Sequence, residues 1–178
     1  MSGPTNGGGG GWGASVMDPP TAALPPPELN CPDVSSMQGS LKETKGRPII
    51  EGEWAQNLRE LRSPSGLKNQ FKLERREEIG SKEGYPFEGA YAGFFRIKHD
   101  GQPIRKVNDE CKLVFRPNSA GGHNVYGDGQ NSYGPFDIKG TLTAKGTILI
   151  FRIYRQPGTP PTPVPPDIPA TGDSKARG

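Results

Sequence analysis

GPFDIKGTLTAKGTILIFRIY, residues 134–154, is the stretch from which the rest of the chain is best read. Phe136, Ile138 and Leu142 alternate with Asp137, Lys139 and Thr141, the period of two that sends apolar side chains to one face of a strand and polar ones to the other. Ala144 to Thr147, with Gly146 available for a positive φ, spells a tight turn into Ile148 to Tyr154. Two strands joined by so short a link must run antiparallel. The second of them breaks the simple alternation. Leu149, Phe151 and Ile153 lie on one face, and Ile148 and Ile150 lie with Arg152 and Tyr154 on the other. One apolar set must face outward. Either the chain's own segment around Leu41 to Ile50 covers it, or Ile148, Leu149 and Ile150 present a patch to a protein partner.

Working upstream, the same grammar recurs. Gly127-Asp128-Gly129 and Asp128 to Gly134 read as a short strand from Val125 followed by a polar turn, and Cys111, Leu113 and Phe115 alternate until Pro117 stops them. Gly89 to Lys98 places Tyr91, Phe95 and Ile97 on one face, with Gly93 leaving room for a bend or a close backbone approach. Phe71 and Leu73 alternate with Lys72 and Glu74 and lead into the charged run Arg75 to Glu78. Gly52-Glu53-Trp54 is read as the start of the first strand, while Trp54, Leu58 and Leu61 at i, i+4 and i+7 also fit a helix over residues 54–62. The expected fold is all-β, an antiparallel up-and-down meander of about seven or eight strands, a closed barrel as first choice and a sandwich as second.

Outside this region the composition changes. The chain has 178 residues with 26 glycines and 20 prolines, and the prolines gather towards the ends. Residues 1–47 carry the run Gly7 to Gly11 and the prolines Pro25-Pro26-Pro27 without periodicity, and are read as a disordered tail in which Trp12 or Leu24 offers a short docking motif. The barrel is expected over 48–156. Residues 157–178, opening PGTPPTPVPPDIP, read as a Pro-rich extended tail. Thr159-Pro160, Thr162-Pro163 and Ser63-Pro64 are candidate sites of proline-directed phosphorylation.

Glycine spacing and two end residues carry a resemblance. Gly52-x-Trp54 on an early strand and Arg152 or Arg155 on the last, together with Gly89-x-Tyr91-x-Gly93-x-Phe95 and Gly134-x-Phe136-x-Ile138-x-Gly140, resemble the calycin and lipocalin type of barrel and small intracellular modules of that build in eukaryotic proteins. The resemblance implies that Trp54 packs across the barrel base with Arg152 stacked over its ring, so that these two residues close the barrel. No leader segment and no cysteine pair is read in this chain, unlike secreted lipocalins. That difference weighs against transport of a small ligand.

A net charge of +3 and a pI near 8.9 are too weak to mark a committed nucleic-acid binder. Cys31 and Cys111 are read as reduced thiols, Cys111 buried and inert, in an intracellular, cytoplasmic or nuclear protein, and no stretch is apolar enough to span a membrane. Gly127 to Ser132 lacks the third glycine and the Lys-Ser/Thr of phosphate loops. His99 and His123 have no ligand partners at zinc spacing, so no metal or cofactor is expected. Asp128 with Asn131 does not match a calcium loop, and Asp109 and Glu110, being adjacent, point to opposite faces of a strand. No residue supports an enzyme. Lys68, Lys72, Arg75 and Arg76 around Phe71 make the densest basic stretch, offset by Glu74, Glu77 and Glu78.

The expected function is therefore a non-catalytic protein-binding adaptor or complex subunit, with a core filled by Trp54, Tyr91, Phe95, Phe115 and Phe136. The alternative is an intracellular carrier of a small apolar ligand, which needs a cavity beside those residues. A weak single-stranded nucleic-acid binder comes third.

Overall fold

The computed structural model describes residues 21–27 and 34–166. Eight strands follow one another: β1 (Val34–Thr44), β2 (Arg47–Ala55), β3 (Asn69–Arg75), β4 (Gly89–Ile97), β5 (Arg105–Pro117), β6 (His123–Asn131), β7 (Gly134–Leu142) and β8 (Thr147–Tyr154). Each pairs antiparallel with the next, and β8 pairs with β1 to close the barrel. The all-β meander expected from the alternation is the fold, with no edge left open.

The seam differs from the one expected. The closing strand is β1, whose Met37 pairs with Ile150 and Val34 with Ile153, so part of the expected 1–47 tail belongs to the barrel. Lys45 and Gly46, both with positive φ, form the tight turn from β1 to β2. Trp54 consequently lies on the second strand, opposite Met37, and takes no part in the β1–β8 seam. The expected turn over Asp128 to Gly134 is also displaced, because β6 stays paired as far as Asn131, which faces Gly134. Residues 54–62 are both strand and helix. Strand β2 ends at Ala55, and Asn57 then caps a short helix, α1 (Leu58–Arg62), by accepting the Glu60 N–H at 2.9 Å.

Inward positions alternate along every strand and fill the barrel with Met37, Leu41, Ile50, Phe71, Leu73, Tyr91, Phe95, Leu113, Phe115, Phe136, Ile148 and Ile150, among others. Glycines occupy places where strands crowd. A Cβ on Gly93 would sit 1.8 Å from the Lys72 carbonyl oxygen, so the approach of β4 to β3 needs a residue without one. A second, smaller cluster lies outside the barrel. There Val34, Ala55 and Phe151, with Leu149 and Ile153 beside them, are covered by Leu58 and Leu61 of α1. The outward apolar face of β8 is thus roofed by the helix, not by the segment Leu41 to Ile50, whose Leu41 and Ile50 point into the core.

Polar groups plug both ends. At one end Arg75, the next inward position after Phe71 and Leu73, is buried and paired with Glu83 at 2.5 and 2.7 Å while donating to three main-chain carbonyls. These bonds and the Gly80 N–H pull the Glu83 carboxyl down to about 2. At the other end Asp109 and Arg152 make an inward ion pair at 3.1 Å, with both side chains almost wholly buried. Arg152 also contacts the Met37 sulfur and the Tyr154 hydroxyl, and its guanidinium lies 4.6 Å from the Phe95 ring centroid and 5.2 Å from that of Phe136.

Candidate functional site

The residues proposed for barrel closure meet through an intermediary. Trp54 packs edge-on against Phe95, with centroids 5.2 Å apart, and its indole N–H donates to the Arg96 carbonyl at 2.9 Å. Arg152 stacks on Phe95 and Phe136 rather than on the indole. Both therefore stabilise the same end of the barrel, but the expected Trp54–Arg152 stack is replaced by a Trp54–Phe95–Arg152 sandwich. The aromatic nearest the guanidinium was Phe95, already on an inward position.

Of the proposed partner residues, Ile148 and Ile150 are core residues with essentially no exposure, which removes them from any surface. They share the inward face with Arg152, as the period of two requires. Leu149 points the other way and is half-buried. It forms the floor of an outer groove of about 300 Å³ together with Leu142 and Phe151, between Arg62 of α1 and the segment Ala23 to Pro26.

That segment is the informative feature. Thr21 to Pro27 runs extended along the outside of β6. The Ser119 N–H donates to the Thr21 carbonyl at 2.8 Å. Asn124, on an outward position of β6 and fully covered, donates its amide N–H to the Ala22 carbonyl and accepts the Leu24 N–H on Oδ1, both at 2.9 Å. Asn118 holds that amide in place by donating to Asn124 Oδ1 at 3.1 Å, while its own oxygen accepts the Ala120 and Gly122 N–H groups. An asparagine side chain thus engages the N–H and C=O of an extended main chain two residues apart, as a neighbouring strand would. Leu24, read from the sequence as a docking motif, docks onto the chain's own barrel. Trp12 and Cys31 lie outside the described residues.

A second extended segment crosses the neighbouring wall, where a free Pro-rich tail was expected from residue 157. The Arg155 N–H donates to the Pro135 carbonyl at 2.9 Å, Thr162 bonds the Asp137 carboxylate, and Arg116 donates to the Pro165 carbonyl at 3.0 Å. Asp137 is also paired with Arg155 at 3.0 Å. Beside it lies a groove of about 320 Å³ lined by Arg76, Glu110, Asp128, Pro135 and Arg155, among others.

The remaining sequence candidates fall apart in space. Phe71 and Arg75 are interior, Arg76 pairs with Glu110 at 2.9 Å, and Lys68 is turned to the Ser63 carbonyl, so the basic stretch makes no platform. Asp128 points outward, whereas Asn131 faces inward onto Asp109 and the Tyr154 hydroxyl, so they share no cation. Glu110 faces outward and Asp109 inward. Burial pushes the Asp109 carboxyl up against the opposing pull of Arg152 and Asn131, drives the free Cys111 thiol far above its ordinary range, and lowers His123. Among the described residues no three His, Cys, Asp or Glu side chains are grouped to hold a metal, and no helix is long and apolar enough to cross a membrane. The Asn124 clamp was absent from the sequence reading, since a lone asparagine in a strand has no pattern to mark it.

Comparison with models of protein families, with curated proteins and with solved structures finds no match for this chain.

Proposed function

We propose that the chain is a non-catalytic protein-binding adaptor, a calycin-like barrel that works from its outer wall and takes up extended polypeptide there. The observation that carries this reading is the Asn124 clamp, a buried amide held by Asn118 and bonded to the main chain of Ala22 and Leu24. Main-chain bonding of this kind accepts many sequences, and the adjoining groove over Leu149 and Phe151 supplies an apolar site for selecting among them. Packing of the barrel interior by Tyr91, Phe95, Phe115 and Phe136 favours this over the carrier, because a ligand needs space that those rings occupy. Burial of Phe71 and Arg75 likewise weighs against the nucleic-acid reading.

The test is affinity capture with the full chain and with Ala120→Arg and Thr141→Arg, both at the groove. Partners should be retained by the parent and lost from both variants, with melting temperatures within a few degrees of the parent. An unchanged set of captured proteins would refute the groove, and release of a bound small molecule from the purified chain would favour the carrier.

A further inference from the structure

We infer that Thr162 is a phosphorylation site whose modification detaches the C-terminal segment from the barrel wall. The inference goes beyond the adaptor reading and stands on its own geometry. After β8 the chain turns at Pro157-Gly158, where Gly158 has φ 87 and the Thr159 N–H bonds the Gln156 carbonyl. It then crosses the wall as an extended run rich in proline. Almost all of residues 157–166 is exposed, with only Val164 half-buried. Apolar burial therefore contributes little to holding the run in place, and its attachment rests on a few polar contacts.

The central contact is two-pronged. Thr162 donates its main-chain N–H to Asp137 Oδ1 at 3.2 Å and its hydroxyl to Asp137 Oδ2 at 2.5 Å. Further along, Arg116 holds the Pro165 carbonyl. The hydroxyl belongs to an exposed Thr-Pro pair in extended backbone, the local form that a proline-directed serine/threonine kinase accepts. Transfer of the γ-phosphoryl group of ATP forms the Thr162 Oγ1–P bond and breaks the bond from the γ-phosphorus to the bridging β,γ-oxygen. ADP leaves, and the hydroxyl proton passes to the kinase's base.

That transfer removes the donor and installs a group near −2 beside a carboxylate. Asp137 already faces Asp128 across the β6–β7 ladder, so the phosphate meets two carboxylates. Among the described residues the cation paired with Asp137 is Arg155, at 3.0 Å, and it is already engaged by that carboxylate and by the Thr159 carbonyl. Lys139 follows two residues along β7, and Lys112 is the ladder partner of Asp128. Neither is paired with Asp137. Repulsion at a lost hydrogen bond then frees the segment from the wall. Thr159 supplies the internal control, because it also precedes a proline but makes no contact with Asp137.

The experiment treats the full chain with a proline-directed kinase and ATP, maps the modified residues by mass spectrometry, and follows amide exchange over residues 155–166 together with trypsin cleavage after Arg155. Modification at Thr162 should speed both by about tenfold or more, the population change that follows loss of one charge-assisted hydrogen bond. The barrel's melting temperature should stay within a degree or two. Thr162→Val should give part of the effect and Thr162→Glu more, while Thr159→Ala leaves exchange at the parent rate. Failure of the kinase to modify Thr162, or modification without faster exchange, would overturn the inference.

Discussion

Replacing Asp109 by alanine separates two ways in which a buried ion pair can act. The carboxylate lies 3.1 Å from the Arg152 guanidinium inside the barrel, and both side chains are no more than 3% exposed. After Asp109→Ala the cation keeps its aromatic faces, the Met37 sulfur and the Tyr154 hydroxyl, none of which carries a negative charge. Stranding one charge in this way costs about 3–5 kcal/mol, a large part of the roughly 5–15 kcal/mol that holds a domain together. Yet burial raises the Asp109 pKa despite the neighbouring cation, so desolvation exceeds the attraction. Removing both charges should then be cheap. Asp109→Leu with Arg152→Met is expected within about 1 kcal/mol of the parent, or above it. The sign with pH follows. A raised folded pKa favours the protonated carboxyl, so the parent should lose stability relative to Asp109→Asn as pH rises through that value above 3.8. Urea unfolding of all four proteins from pH 3 to 7 measures this. A double variant as unstable as Asp109→Ala would refute the reasoning.

Three further outcomes follow from the packing. Glu83, held at about 2 by Arg75, contributes stability above pH 4.5 that disappears as pH falls from 4.5 to about 2, and Glu83→Gln should remove that part of the acid-unfolding curve. Trp54→Ala should cost about 2–3 kcal/mol, less than the roughly 3–5 of a fully buried aromatic, because the indole is half-exposed and lies away from the β1–β8 seam; denaturant titration checks it. Gly93→Val should lower stability by about 1–3 kcal/mol or more, measured the same way, since its Cβ meets main chain on β3 that has no rotamer with which to yield.

The period of two made most of the barrel legible, and its limits follow from what lines the inside. Strand β1 presents Ser35, Met37, Gly39 and Leu41 inward, and Gly39 stacks against Gly52 of β2 with no room for a Cβ on either, so the apolar signal fades along this strand. The same rule held for charges: Arg75 continues Phe71 and Leu73, and Asp109 continues Leu113 and Cys111, but an ion among hydrophobes reads as a strand end until its partner is known. Glu83 and Arg152 are those partners: Glu83 follows only eight residues later, in the irregular stretch after β3, and Arg152 comes from the last strand. The outward apolar face of β8 was visible, though its cover, a short helix after Asn57, was readable only as a competitor to strand. Asn124 was beyond reach because its role depends on a segment a hundred positions earlier, joined to it by main-chain atoms that every sequence possesses.

The most direct measurement titrates the acetylated and amidated peptide of residues 21–27, TAALPPP, into the full chain carrying Leu24→Asp, which loosens the resident segment. The readout is the side-chain amide resonances of Asn124. Saturable binding should shift those resonances together with the side-chain amide of Asn118, and in Asn124→Ala, where Asn118 alone is read, it should be abolished. A peptide that leaves them unmoved at millimolar concentration would contradict the claim that this wall is built to hold extended chain.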